Sequence, residues 1–137
     1  MKKLHFILLA VFCLTLTACE NKEKPEKISL ANTQWRLVGF VDKQTGALIV
    51  PEPLENCHRC FTISFTEDEF TGFTTGNYFA GAYEADYVAQ RIQFSDAVIT
   101  EAGERNFDGR RFAWAIITVH SFNLQKNELK LFNVSSI

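Results

Sequence analysis

The residues best able to carry chemistry are Cys57-His58-Arg59-Cys60. A thiol pair with this spacing can cycle between dithiol and disulfide when a helix N-terminus or nearby cations stabilise the first thiolate. His58 and Arg59 would supply positive charge. The usual redox setting is a strand, then this motif opening a helix. Here Pro51 and Pro53 precede it and the alternating Phe61-Thr62-Ile63-Ser64-Phe65 follows. That context favours a structural disulfide closing a tight loop, with a thiol-disulfide redox or switch pair as the alternative. Zinc needs four ligands at suitable spacing. Cys57, His58 and Cys60 are only three, and His120 would have to join from afar. Covalent haem is excluded, because Phe61 stands where a histidine is required. No metal and no cofactor is therefore expected.

The other candidates are weaker. His120 falls at the end of an expected helix, where a cation suits the helix dipole. Glu67-Asp68-Glu69 reads as a solvated hairpin tip. Glu101, Glu104, Asp108, Arg110 and Arg111 cluster near the expected helix start, where acids are favoured. No serine, histidine and acid form a recognisable constellation, and no phosphate-binding glycine loop occurs. This points away from an enzyme. Tyr78, Phe79, Tyr83 and Tyr87 gather around Gly76–Gly81. Tyr78, Phe79 and Tyr83 would form a binding surface if they face solvent; packing under the loop is the alternative.

Cys19 carries a different chemistry. Met1-Lys2-Lys3 is positive, and Leu4 to Leu16 is almost wholly apolar. That run is too short to span a bilayer, which takes about 20 residues, and suits the core of a secretory signal. It ends in Leu16-Thr17-Ala18-Cys19, which resembles the lipobox of bacterial lipoproteins. The resemblance implies export, cleavage before Cys19 and lipid on its thiol. The expected organisation is a signal peptide over 1–18, a flexible tether over 19–27 and one folded domain over 28–137. The tether is polar, charged and proline-containing, with nothing apolar to bury. Two or more acyl chains hold a protein firmly to a membrane. The expected location is the bacterial cell envelope, on the inner or outer membrane. An exported chain meets an oxidising compartment, which bears on Cys57 and Cys60.

Removing Lys2 and Lys3 leaves 12 basic residues against 16 acidic, a net of −4. With no long basic cluster, nucleic acid is not an expected partner. Thirteen phenylalanines, three tyrosines and two tryptophans can fill a substantial core. From Ile28 the pattern is mainly of strands. Thr33–Val41 alternates, and Ala47-Leu48-Ile49-Val50 returns across a turn. Phe61–Phe65 and Phe70–Thr74 flank Thr66–Glu69, and Gly76–Gly81 reads as a glycine-bounded loop. Ala82–Tyr87 and Arg91–Ser95 follow. Asp108–Val119 reads as a helix capped by Asp108, with Phe112, Ala115, Ile116 and Val119 on one face. Ser121–Leu124 and Glu128–Phe132 form a last hairpin. The expected class is α+β: a strongly curved antiparallel β-sheet or small barrel with one late α-helix.

The order of these features resembles the META domain of HslJ-like envelope proteins. The residues that carry it are Thr33-x-Trp35-x-Leu37, Ile63-x-Phe65, Gly76-Asn77 with Gly81-x-Tyr83, Thr100, Phe112, Val119-x-Ser121-Phe122-x-Leu124 and Leu129-x-Leu131. The central loop lacks the cysteine that family members often have, and Cys57-x-x-Cys60 lies outside the family pattern. The resemblance implies a small, non-catalytic envelope domain linked to stress resistance or partner binding, with no catalytic residues to carry over. A small-ligand carrier with a lipocalin-like cavity is a further alternative. The expected partners are the membrane, through lipid on Cys19, and an envelope protein or small ligand.

Overall fold

The structure is a computed structural model and describes residues 28–52 and 54–133. The expected signal segment 1–18, Cys19 and the tether 19–27 lie outside the described residues. Nine strands and one helix follow in order: β1 Thr33–Arg36, β2 Phe40–Val41, β3 Leu48–Ile49, β4 Thr62–Phe65, β5 Glu69–Phe73, β6 Tyr78–Asp86, β7 Arg91–Ile99, α1 Phe107–Ile117, β8 Val119–Gln125 and β9 Glu128–Asn133. Among the described residues, seven strands form one antiparallel sheet in the order β1-β4-β5-β6-β7-β8-β9, and β2 pairs with β3 apart from it. This agrees with the expected curved sheet and late helix.

The sheet curls because contacts reach across it. The backbone N–H of Leu30, just ahead of β1, donates to the Tyr87 hydroxyl beyond the end of β6. Strands β4 and β5 lie between those two in the sheet order, so a flat sheet could not make this bond. Strong curvature is eased by a bulge in the β6–β7 pairing between Ala80 and Ala82. On the β7 side of it, Asp96 takes a positive φ of 51°. The result is a nearly closed, barrel-like sheet of mostly neighbouring hairpins.

Its interior is aromatic. Alternation along β4 to β6 sends Ile63, Phe65, Phe70, Phe79 and Tyr83 inward. Phe65 meets Tyr83 edge-on at 4.9 Å and Phe70 meets Phe94 at 4.8 Å. Phe112 of α1 packs edge-on against both Phe61 and Phe79. Such pairs contribute about 0.5–1.5 kcal/mol each beyond area burial. These rings occupy the volume that a lipocalin-like carrier would keep open.

Several boundaries differ from expectation. Thr33–Val41 is broken after Arg36: Leu37 N–H still donates to Phe61 O at 2.8 Å, and the chain then leaves the sheet to pair β2 with β3. The glycine-bounded loop shrinks to Thr74–Asn77, and Tyr78 already opens β6. The helix cap is Asn106, whose extended backbone lets Oδ1 accept from Gly109 N at 3.1 Å. Asp108 lies inside the first turn, where its charge still suits the helix N-terminus. Val119 has left the helix for β8, so α1 buries Phe112 and Ile116 as expected, with Gly109 and Ala113 beside them in place of Ala115 and Val119. His120 is an exposed β8 residue beside Ser121, and the last helical turn holds no basic residue.

Candidate functional site

Three segments far apart in sequence meet at one end of the sheet: Cys57–Cys60, the Thr74–Asn77 turn, and the β7–α1 connection around Glu104. The first is a tight turn. Cys57 and Cys60 are joined by a disulfide with Cα atoms 5.3 Å apart, and Cys60 N–H donates to Cys57 O at 3.3 Å. Thr62 Oγ1 donates to Arg59 O at 2.7 Å, and the Arg36 guanidinium donates to His58 O. Phe61 follows with φ of 57°, a left-handed conformation that is costly for a bulky residue. Its buried ring and the Leu37 bond hold it there. Strand β4, not a helix, comes next, so the pair lacks the helix N-terminus that would stabilise a reactive thiolate. Among the described residues no group of three His, Cys, Asp or Glu side chains gathers at metal-binding distance.

The second and third segments are locked together by Glu104. Its Oε1 accepts from Thr74 Oγ1 at 2.6 Å and Asn77 Nδ2 at 2.7 Å. Its Oε2 accepts from Thr75 N at 3.1 Å and Thr75 Oγ1 at 2.5 Å. Asn77 Oδ1 accepts from Ala102 N at 2.7 Å and Thr100 Oγ1 at 3.0 Å, while Asn77 Nδ2 also donates to Ala102 O at 2.8 Å. Two glycines make room. A Cβ on Gly76 would lie 2.0 Å from Gly103 O, and one on Gly109 would lie 2.3 Å from both Glu104 Oε2 and Thr75 Oγ1.

Burial alone would raise the Glu104 pKa, but the donors of Thr74, Thr75 and Asn77 outweigh it and hold the carboxyl below its ordinary value. An ionised carboxylate with four committed donors fixes geometry; it is poorly placed to exchange protons near neutrality. The Tyr83 hydroxyl is pushed up to about 12, first by desolvation and then by Tyr87, Glu67 and Asp68, and it donates to Thr66 O at 2.8 Å.

Between these segments lies an open groove of about 540 Å³. That is within the usual range of ligand sites, about 300–1,000 Å³. The disulfide forms one wall and also borders a smaller cleft of about 190 Å³ beside Leu37 and Val50. The Arg59 guanidinium lies 3.7 Å above the Phe73 ring, whose other neighbour is the Tyr78 ring at 5.3 Å. Arg105 lines the same groove. Neither Arg59 nor Arg105 has a carboxylate within ion-pair distance among the described residues. The wall hydroxyls of Thr74, Thr75 and Thr100 are committed to the network above, which leaves the guanidiniums and the Tyr78 phenol to meet a ligand. The arrangement suits an anionic group carried on a flat or apolar body.

Of the aromatic surface expected at Tyr78, Phe79 and Tyr83, only Tyr78 reaches solvent, at 39% exposure. Phe79 at 2% and Tyr83 at 5% share the opposite face of β6 and belong to the core. Phe73 and Arg105 carry no local signal in the sequence, and Arg59 stands out there only as a cation beside the thiols.

Fold and site together define a small antiparallel β-sheet domain with one helix and a disulfide-walled groove. A solved structure of a DUF4847 family protein from Bacteroides vulgatus is similar, with a TM-score of 0.57 over 77% of this chain and 86% of that one. At 17% identity this likeness speaks for the fold alone. In sequence, the chain is 33% identical over 117 residues to a Tannerella forsythia protein named "Putative lipoprotein". The match covers 85% of this chain and 77% of the relative, and the chain belongs to that protein's family. No family model matches the chain.

Proposed function

We propose that this chain is a bacterial envelope lipoprotein, cleaved before Cys19 and held on a membrane by lipid on that thiol. Its folded domain binds an anionic ligand or partner segment in the disulfide-walled groove and performs no chemistry of its own. The observation that carries the anchoring is the Leu16-Thr17-Ala18-Cys19 motif in a chain whose relative, 33% identical over 117 residues, is named a lipoprotein. The binding reading is supported by Arg59 and Arg105, two guanidiniums without a carboxylate partner beside an aromatic floor. The link to META domains, and with it a role in stress resistance, rests on the order of strands, late helix and final hairpin.

The test is capture from crosslinked envelopes. Wild type is compared with Arg59→Ser/Arg105→Ser and with Tyr78→Ala; all three side chains are accessible, so these changes leave the core intact. The wild type is expected to retain a partner or acidic ligand that both variants lose. Equal recovery by all three chains would remove the groove from the proposal.

A further inference from the structure

The outer face of α1 is apolar where a solvated helix should be polar. At 100° per residue, Phe107 and Trp114 lie within about 20° of each other on the side opposite Phe112 and Ile116. Phe107 is 77% exposed and Trp114 is 61% exposed. Exposed Arg110 flanks them on one side and Arg111, half-buried with its guanidinium 4.2 Å over the Phe40 ring, on the other, and Ile117 extends the stripe at the margin. The acid of the first turn, Asp108, is rotated away and accepts from Glu52 N at 3.4 Å. Two exposed aromatics beside an exposed arginine match a surface that is apolar inside and anionic outside. Tryptophan and arginine are the side chains suited to that boundary.

The place where the chain emerges favours the same occupant. Ser29 and Leu30 are held by the Tyr87 hydroxyl, and Tyr87 packs on Phe122 at 5.6 Å. Phe122 follows the end of α1 by five residues. The segment leading back to Cys19 therefore leaves from the end of the sheet toward which α1 runs. Eight residues lie between Cys19 and Ile28, so the nine steps from one to the other reach at most about 30 Å. The helix is 11 residues long, about 16 Å. A bilayer holding Cys19 is thus within reach of the whole outer face.

We propose that the outer face of α1, through Phe107 and Trp114 with Arg110, lies on the anionic surface of the membrane that holds the chain. This placement rests on lipid attachment at Cys19 for its proximity. It would orient the domain by a second contact, since one attachment point leaves a domain free to tumble.

The experiment uses the mature chain with Cys19→Ser and Trp35→Phe, so that no lipid is attached and Trp114 alone reports. Every described residue except Trp35 is unchanged. Vesicles of equal parts phosphatidylethanolamine and phosphatidylglycerol are compared with phosphatidylcholine. The expected result is flotation with the anionic vesicles, a blue shift of Trp114 emission, and weakening by salt. Phe107→Ser/Trp114→Ser should lower partitioning by about a hundredfold, the loss of two large apolar side chains. Arg110→Ser should lower it by about fivefold. Unchanged circular dichroism separates these losses from misfolding. Absence of flotation, or equal flotation of Phe107→Ser/Trp114→Ser, overturns the proposal. So does a photo-crosslinker at position 114 of the lipidated chain that captures an envelope protein and no lipid. Failure of Cys19 lipidation is read separately, by lipid labelling of the wild-type chain, because the vesicle assay carries serine at that position.

Discussion

Replacing Glu104 with glutamine is the most informative perturbation of the folded domain. The carboxylate accepts from Thr74 Oγ1, Asn77 Nδ2, Thr75 N and Thr75 Oγ1. A glutamine keeps one acceptor oxygen and turns the other position into a donor. The Thr75 hydroxyl can turn to accept from the amide, but the bond from Thr75 N–H is lost and two N–H groups face each other, and the bonds that remain lose their charge. Hydrogen bonds to a charged group contribute about 1.5–3 kcal/mol each. The site is half-buried, so water replaces part of that, and a net loss of about 2–3 kcal/mol is expected. The pH dependence follows from the lowered pKa. Near and below the ordinary carboxylate pKa, about 4.3, the unfolded chain binds more protons at this residue than the folded one does. The Glu104 contribution is therefore complete above that value and is lost as pH falls through the lower folded value. Urea unfolding at pH 7 and at successively lower pH reads both effects. The wild-type advantage over Glu104→Gln should be about 2–3 kcal/mol at pH 7 and should shrink in acid. A difference below about 0.5 kcal/mol at pH 7, or one that does not change with pH, would refute the reasoning.

Three further outcomes are expected. Gly76→Ala places a Cβ 2.0 Å from the backbone oxygen of Gly103, so the Thr74–Asn77 turn must separate from the β7–α1 connection. A drop of at least about 2 kcal/mol in thermal unfolding is predicted, and a variant as stable as wild type would disprove the close approach. Cys57→Ser/Cys60→Ser opens a four-residue loop. Chain entropy alone makes this cost about 2 kcal/mol, and stability should fall equally in wild type when reductant is added; loss of binding without loss of stability would favour a thiol switch instead. Gln90, with φ of 55° in the β6–β7 turn, should be improved by Gln90→Gly by about 0.5–1 kcal/mol; a lower melting temperature would argue against that backbone.

The parts of this fold readable in sequence are those governed by local period and turn chemistry. Phe61–Phe65 alternates, Thr66 and Glu69 close its hairpin, and Gln125–Glu128 turns the last one, each within a few residues. The helix was readable from Phe112 and Ile116, but its ends were not. Asn106 and Asp108 are both competent caps, and only the extended backbone at Asn106 decides between them. The flanking glycines suggest a loop at Tyr78 and Phe79, and in a loop either solvent exposure or core packing is open to both. Once Tyr78 is in a strand, the two must point to opposite sides. The groove was not readable. Glu104 meets Thr74 across 30 residues, and nothing local marks either as a partner of the other. Arg59 and Arg105 line one groove because that network folds the connection back over the turn.

The central claim is that the chain works as an envelope lipoprotein, and its most direct test is the mass of the mature N-terminus. Protein purified from bacterial membranes should begin at Cys19 and carry the added mass of a diacylglyceryl group on that thiol. With Cys19→Ser the modification and the membrane retention should both disappear. A wild-type protein that retains residues 1–18, or begins at Cys19 without lipid, would contradict the account.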